Sequence, residues 1–144
     1  MRIHRGRLID HLHLVVADLE QSRRFYRTVL EVLGLKLEFE TKQSFACDEL
    51  FVSDAAFTRG ASTAPHRVHL AFQTPDRETV DRFHRAALAA GARDNGAPGE
   101  RPYHPGYYCA FVLDPDGNNV EAVHHGPSRR SAGSVTIDFD MPES

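Results

Sequence analysis

Two histidines share one face of a predicted strand early in the chain. The segment HLHLVVAD, residues 11–18, alternates polar and apolar residues, which is typical of a β-strand. Successive strand side chains point to opposite faces, so His11 and His13 lie on one face and Leu12 on the other. Imidazole can bind a metal ion, but histidine also occurs in half-polar interiors where a hydrogen bond satisfies it. This segment alone leaves both interpretations open.

The spacing around His11 recurs further along the chain. HLHLVVADLEQSRRF begins at His11, and HLAFQTPDRETVDRF begins at His69 with the same pattern. Each copy predicts a strand, a capped turn and an amphipathic helix that ends at glycine. The repeat therefore predicts that His11 and His69 are equivalent, and that Phe25 superposes on Phe83.

Local signals define where the two helices begin. Asp18 is the predicted N-cap of the first helix, with Gln21 three residues later, and Gly34 is predicted to end it. In the second copy Thr74 is the predicted cap and Pro75 fits the first helical position. The two helices are thus predicted to follow their strands after short turns.

Further strands are predicted after each helix. LKLEFET, SFACD and LFVSD follow the first, while YYCAFVL and NNVEAVHH flank the hairpin turn DPDG in the second half. The Gly- and Pro-rich stretch 92–106 is predicted to be a loop at a rim or lid. Each half is then a βαβββ module of an α+β fold. The expected organisation is a single domain over 1–144, with module one at about 8–56, module two at about 66–125 and a tail over 126–144.

A carboxylate accompanies the two histidines. Glu121 lies in the otherwise apolar segment NNVEAV, where an ionised side chain is costly unless it is paired or bound to metal. If Asp114 lies opposite Asn118 across the DPDG turn, Phe111 lies opposite Glu121. The polar face of this hairpin would then carry Tyr107, Cys109, Phe111, Asn119 and Glu121. His11, His69 and Glu121 form a 2-His-1-carboxylate set, which leaves positions open for water or substrate.

Composition limits the classes of partner. The 144 residues are 41% hydrophobic and 26% charged, as in an ordinary globular domain. A net charge of −3 gives no reason to expect nucleic acid or an anionic membrane as a partner, and no apolar run approaches the roughly 18 residues of a membrane span. Cys47 and Cys109 make no disulfide framework or zinc pattern, so a reducing, cytoplasmic setting is expected.

Three motifs in this order give the chain a family resemblance: DHLHLVVADLEQSRRFY, VHLAF and FVLDPDGNNVEAV. Over residues 9 to about 124 it resembles the vicinal oxygen chelate superfamily of glyoxalase I, extradiol dioxygenases, fosfomycin-modifying enzymes and bleomycin-binding proteins. The resemblance implies paired βαβββ modules that form a cupped mixed sheet around a divalent ion, and usually a homodimer. The family's metal positions fall on His11, His69 and Glu121. Such ligands favour Fe²⁺ or Mn²⁺, and they also suit Zn²⁺ and Ni²⁺.

One position departs from the glyoxalase I pattern. Those enzymes have a fourth, carboxylate ligand on the last strand of the first module, which also serves as the catalytic base. Here the segment LFVSDA puts that position near Val52 or Ser53, with Asp54 adjacent and out of phase. The resemblance therefore argues against ordinary glyoxalase I, and the catalytic residues stay unassigned.

The three-ligand pattern is similar to fosfomycin thiol transferases and to dioxygenase modules. It places Arg101 where those transferases carry a lysine, and Arg130 where they carry a substrate-binding arginine. His13 falls on a substrate-contacting threonine. Pro105, Cys109 and Phe111 replace the transferases' loop serines and tyrosine, which argues against fosfomycin as substrate. The predicted substrate-binding residues are His13, Arg101, Tyr107, Cys109, Phe111 and Arg130.

Two functions remain in competition. The first is an enzyme whose metal ion acts as a Lewis acid on a small substrate that chelates it through vicinal oxygens. Its reaction would be that of a lyase, an isomerase, a dioxygenase or an epoxide-opening transferase. The alternative is a non-catalytic module of the bleomycin-resistance type that sequesters an antibiotic. Members of that type typically lack the ligand triad, so metal content distinguishes the two hypotheses.

Overall fold

The computed structural model describes residues 2–5, 9, 11–57, 67–129, 133 and 135–138. It contains two helices and ten strands within these ranges. In chain order they are β1 Arg2–Arg5, β2 Leu12–Val15, α1 Leu19–Val32, β3 Phe39–Glu40, β4 Ser44–Cys47, β5 Leu50–Ser53, β6 His69–Gln73, α2 Arg77–Ala89, β7 Arg93–Glu100, β8 Tyr107–Leu113, β9 Asn119–His125 and β10 Val135–Asp138. Neither described helix is long and apolar enough to cross a membrane.

Each module folds into its own four-stranded mixed sheet. The strand order is β2-β5-β4-β3 in module one and β6-β9-β8-β7 in module two. In both sheets the first strand runs parallel to the last, and the remaining neighbours are antiparallel. The prediction of an α+β fold with two paired βαβββ modules is therefore confirmed. A separate antiparallel pair joins β1 to β10.

The helices pack their apolar stripes into one core. The buried residues on α1 include Phe25, Tyr26 and Val29, and those on α2 include Val80 and Phe83. Fully burying a side chain of this size stabilises a fold by about 1.5–3 kcal/mol. Since these residues recur at helical spacing, the sequence pattern accounts for both helices and for the faces they bury.

Both helices begin at an aspartate. The Asp18 side chain accepts a hydrogen bond from the Gln21 backbone N–H, which confirms the predicted cap of α1. In α2 the cap is Asp76 and not the predicted Thr74, because the Asp76 side chain accepts from the Thr79 backbone N–H. The Thr74 hydroxyl instead donates to the carbonyl of Val123 on β9.

The stretch predicted as a loop contains a strand. β7 pairs antiparallel with β8, with register shifts between Asp94 and Gly96 and between Gly96 and Gly99. A Cβ on Gly96 would lie 2.9 Å from Phe111 Cδ2, so glycine allows β7 to approach its neighbour. The Gly and Pro residues that predicted a loop thus belong in part to a bulged strand. His84 of α2 is buried, and its Nε2 lies 2.9 Å from Oδ1 of Asp94 on β7.

The two modules meet through α1 and the turn between β8 and β9. The Tyr26 hydroxyl donates to Asp114 Oδ2 at 2.6 Å, and both residues are buried. The backbone N–H of Ala17 donates to Asp116 Oδ1 at 3.0 Å. Burial, reinforced by Asp114, raises the pKa of Tyr26 well above its ordinary value, so the phenol stays a donor. These bonds fix how one module sits against the other.

Candidate metal and substrate site

Module two brings together a histidine and a glutamate. His69 begins β6, Glu121 lies on the parallel neighbour β9, and their side chains meet with Nε2 2.7 Å from Oε2. Glu121 is only 2% exposed, whereas the His69 side chain is half exposed. Ionised Glu121 accepts a hydrogen at this contact, so in the metal-free chain His69 carries a proton on Nε2. A carboxylate buried in this way needs polar partners or a cation.

Tyr107 supplies the second partner of this carboxylate. Its hydroxyl donates to Glu121 Oε1 at 2.5 Å. Burial and the hydrogen bond to Glu121 raise the pKa of Tyr107 above its ordinary range, so the phenol remains protonated and keeps donating. Tyr107 was predicted to be a substrate contact. The structure adds that it holds one Glu121 oxygen while the other faces His69.

The hairpin register agrees with the sequence prediction. Phe111 lies opposite Glu121 in the β8–β9 pair, and Asp114 N–H donates to the Asn118 carbonyl. The alternation of side chains therefore puts Phe111 on the same face as Glu121. The Phe111 ring meets the His69 ring edge-on, with centroids 5.9 Å apart. Phe111 thus packs beside the His69–Glu121 pair.

Arg101 covers Phe111 from the outer strand. Its guanidinium carbon lies 5.6 Å from the centroid of the Phe111 ring, and its Nη2 donates to the carbonyl of Ala97 at 2.8 Å. A Cβ on Gly99 would lie 3.1 Å from Nη1 of Arg101, so glycine makes room for this side chain. The structure therefore holds a positive charge beside Phe111.

Module one lines a cavity of about 340 Å³ with the other two site histidines. His11, directly before β2, and His13 on β2 are both exposed, and they line this cavity with Phe51 of β5. The His13 ring meets Phe51 and Phe57 edge-on, at centroid distances of 4.8 and 6.1 Å. Sequence reasoning missed this aromatic wall. The alternation in LFVSD was the signal available, because it puts Phe51 and Ser53 on one face with His13.

The protonation state of His13 follows from its neighbours. The Ser53 hydroxyl has one hydrogen, which it donates to the carbonyl of Asp54 at 3.1 Å. It must therefore accept from His13 Nε2, which lies 2.8 Å away. Burial lowers the pKa of His13 below its ordinary value, and repulsion from His11 lowers it by a smaller amount. His13 is thus a neutral imidazole, suited to hydrogen bonding with a substrate.

Among the residues that the structure describes, no three His, Cys, Asp or Glu side chains lie close enough to hold one ion. His69 and Glu121 form a pair with donors suited to a divalent metal, whereas His11 belongs to the cavity of module one. Oxygen and imidazole donors at this spacing fit two neighbouring positions of an open site. The described part of one chain therefore provides two of the three predicted ligands together.

The remaining predicted substrate contacts have different outcomes. Cys109 is fully buried, and burial together with Glu121 raises the pKa of its thiol to about 11, so it acts as a packing group at pH 7. Arg130 lies outside the described residues.

The sequence predicts that the glyoxalase I carboxylate position falls near Val52 or Ser53. The strand register corrects this, because Phe51 pairs with His13 as Glu121 pairs with Ala71.

Comparison with known proteins identifies the class. The model of the glyoxalase/bleomycin resistance protein/dioxygenase superfamily matches residues 8–122, and the chain belongs to this superfamily. It is 32% identical over 128 residues to the uncharacterized protein YqjT of Bacillus subtilis (strain 168), an alignment that covers 80% of this chain and 97% of that protein.

Solved structures share the fold. A glyoxalase/bleomycin resistance protein from Albidiferax ferrireducens T118 is similar with a TM-score of 0.67 and 28% identity, over 82% of this chain and 98% of the other. A lactoylglutathione lyase from Agrobacterium tumefaciens has a TM-score of 0.61 and 24% identity, over 82% and 93%. At that identity the second likeness concerns the fold alone.

Proposed function

We propose that the protein is a divalent-metal-dependent enzyme that acts on a small substrate with two vicinal oxygens. The observation that carries this proposal is the His69–Glu121 pair, in which a 2%-exposed carboxylate faces an imidazole nitrogen at 2.7 Å. A divalent ion between these atoms would replace the shared proton and neutralise the buried charge. By ligand type the ion is Fe²⁺ or Mn²⁺, with Zn²⁺ and Ni²⁺ as weaker candidates.

The third ligand is His11 of a second copy of the chain. His11 occupies in module one the position of His69 in module two, but it does not join the described His69–Glu121 pair in one chain. A two-fold homodimer that sets module one of one copy against module two of the other would complete the triad. The exposed face of β6, which includes His69 and Ala71, is then covered by the partner.

The bound ion supplies Lewis acidity to the two substrate oxygens, and the chain's own residues orient the substrate. Tyr107 holds Glu121 in place, and the Arg101 guanidinium on Phe111 would face a negative group of the substrate. Neutral His13, whose Nε2 donates a hydrogen bond to Ser53, would accept one hydrogen bond at Nδ1. Cys109 would pack beneath the site, and Arg130 is proposed as a further cationic contact.

The reaction class stays among lyase, isomerase, dioxygenase and epoxide-opening transferase. Both free cysteines, Cys47 and Cys109, are buried. Burial raises the pKa of the Cys47 thiol to about 12, so it stays protonated at neutral pH. These unpaired thiols support a reducing, cytoplasmic location as part of the proposal.

Mixing two defective variants tests the ligand set and its division between copies. Mn²⁺ is the ion used, and His11→Ala and Glu121→Gln are each expected to bind no Mn²⁺ tightly. When they are unfolded and refolded together, a heterodimer regains one site from the intact His11 of one copy and the intact pair of the other. With random pairing, we expect about a quarter of the wild-type metal content per chain, measured by atomic emission after dialysis.

A matched mixture is the control. His69→Ala and Glu121→Gln damage the same half of the site, so their heterodimer contains no complete triad and should stay empty. A dimeric His11→Ala and Glu121→Gln mixture that binds no more than this control would contradict the shared site. A wild-type chain that takes up none of the four ions would contradict metal dependence itself.

The second candidate is a small-molecule binding protein of the bleomycin-resistance type. It is favoured by the aromatic cavity beside His13, whose walls include Leu50, Phe51 and Phe57 and need no metal to hold a ligand. Titration of the metal-free protein with Fe²⁺ and Mn²⁺ separates the two functions, because only the enzyme hypothesis requires saturable binding of one ion per chain.

A further inference from the structure

Two exposed histidines face each other at the other end of the β8–β9 hairpin. His104 lies in the turn before β8, and His125 ends β9. His104 Nε2 is 2.8 Å from His125 Nδ1, and the ring planes differ by 24°. The rings thus lie nearly in one plane, with a nitrogen of each directed at the other.

The hydrogen bonds of His104 decide which of its nitrogens is free to bind. Its Nδ1 lies 2.9 Å from the carbonyl of Pro105, which can only accept, so Nδ1 carries a hydrogen. In its uncharged form His104 therefore presents the lone pair of Nε2, and His125 Nδ1 donates the hydrogen between the two rings. A histidine that donates its other N–H to a backbone carbonyl is the usual arrangement of a metal ligand.

The backbone around the pair is fixed from both sides. Tyr107 pairs with His125 in the sheet, and Gly126 N–H donates to the Gly106 carbonyl at 3.1 Å. A Cβ on Gly106 would lie 1.5 Å from the Gly126 carbonyl oxygen, so only glycine permits this approach. The Tyr107 ring also stands edge-on to both imidazoles, at 5.3 and 5.1 Å. The two ligand-bearing segments are thus held together before any ion arrives.

We propose that His104 Nε2 and His125 Nδ1 form a second metal site, for a divalent transition-metal ion that prefers imidazole, such as Ni²⁺, Cu²⁺ or Zn²⁺. Two nitrogens about 2.0–2.1 Å from one ion and at right angles stand about 2.9 Å apart, close to the observed 2.8 Å. Binding requires the hydrogen on His125 Nδ1 to move to Nε2 of the same ring by exchange with water. A modest rotation of the two exposed rings then directs both lone pairs at one ion. Water completes the coordination.

This site uses none of the ligands of the first. Tyr107 stands between them, with its hydroxyl on Glu121 and its ring against His104 and His125. Metal binding at the second site therefore does not depend on metal binding at the proposed triad. Its ligands are two exposed imidazoles without a carboxylate, so it favours Ni²⁺ and Cu²⁺ over the harder Mn²⁺.

Ni²⁺ alone is the probe, in equilibrium dialysis against the full-length Glu121→Gln variant, in which the first site is disabled. We expect one Ni²⁺ per chain, and a loss of affinity of about tenfold or more when either His104→Ala or His125→Ala is added. His124→Ala is the matched control and should bind as its parent does, because His124 Nδ1 is directed to the carbonyl of Thr74 at 3.4 Å.

A second measurement locates the ion. Substoichiometric Ni²⁺, which is paramagnetic, should broaden the amide NMR signals of residues 104 and 125 before those of other histidines. Unchanged Ni²⁺ affinity in both alanine variants would overturn the proposal. So would an absence of saturable binding in the folded parent, or broadening that begins elsewhere.

Discussion

The two modules have one topology and different site chemistry. In module two the paired positions on the first and last strands carry Ala71 and Glu121, and in module one they carry His13 and Phe51. A histidine precedes the first of these positions by two residues in each module, at His69 and at His11. The two modules thus share the imidazole and differ in whether a carboxylate or an aromatic ring accompanies it. Under the proposed function, module two would hold the ion and module one the substrate.

The largest expected effect concerns the residue that distinguishes the modules. Glu121→Gln keeps the shape of the side chain and removes its charge. We expect divalent-metal affinity to fall about 100-fold, since even partners outside the first coordination shell contribute 10–100-fold. Calorimetric titration with Mn²⁺ measures it.

Asn119→Ala is the control for Glu121→Gln. Asn119 Nδ2 lies 3.4 Å from His69 Nδ1, so it touches the histidine without carrying charge. Its replacement should weaken affinity less than about tenfold, below the usual range for outer contacts, because the 3.4 Å contact is long and uncharged. Equal losses in the two variants would mean that the Glu121 charge has no special part in binding.

The contact that joins the modules gives the next effect. Tyr26→Phe removes the donor to Asp114, which is 3% exposed. A hydrogen bond to a charged group contributes about 1.5–3 kcal/mol, so the free energy of unfolding should fall by that amount. Urea denaturation measures it.

Tyr108→Phe is the matched comparison for Tyr26→Phe. The Tyr108 hydroxyl also donates to an aspartate at 2.6 Å, but Tyr108 and Asp81 are only half-buried. Water can replace this bond, so the cost should stay near 0.5 kcal/mol. If Tyr108→Phe cost as much as Tyr26→Phe, the junction between modules would not be the more important contact.

Making module one resemble module two should strengthen the site. If module one of one copy faces module two of the other, Phe51→Glu adds a carboxylate near the ion. We expect metal affinity to rise about tenfold, because affinity follows the charge of the ligands. Phe51→Gln, of similar size and without charge, should give no gain. A Phe51→Glu variant no tighter than Phe51→Gln would argue against the facing arrangement.

The parts of this fold that could be predicted from sequence are those with local causes. The DPDG turn and strict alternation gave the register of Phe111 against Glu121, which the structure confirms. The repeat gave the order of elements in both modules. These signals arise within one hairpin or one helix, so no knowledge of distant contacts was needed.

The parts that could not be predicted depend on pairing between distant segments. β7 is a strand because β8 lies beside it, although its Gly and Pro residues favour a loop. The register that gives Phe51 the position of Glu121 is set by β2, about 40 residues away in sequence, so spacing alone was wrong by one or two residues. That His11 does not join the described His69–Glu121 pair depends on the packing of two modules distant in sequence, which no local signal predicts.

The smallest predicted effect concerns the cap of α2. Asp76 Oδ1 accepts from both the hydroxyl and the backbone N–H of Thr79, each at 2.7 Å. Both hydrogen bonds lower the pKa of Asp76 below 3.8, and the bond from the Thr79 hydroxyl lowers it more than the backbone bond does. The stability that the charged cap contributes is therefore complete above pH 3.8 and is lost as the pH falls through the lower folded pKa.

Thr79→Val keeps the backbone bond and removes the hydroxyl, so the carboxyl NMR titration of Asp76 should move to higher pH. Thr74→Val removes a nearby hydroxyl that donates to the Val123 carbonyl and not to the Asp76 carboxylate, so it should leave that midpoint in place. A midpoint that moves equally in both variants would show that the Thr79 hydroxyl is not the cause.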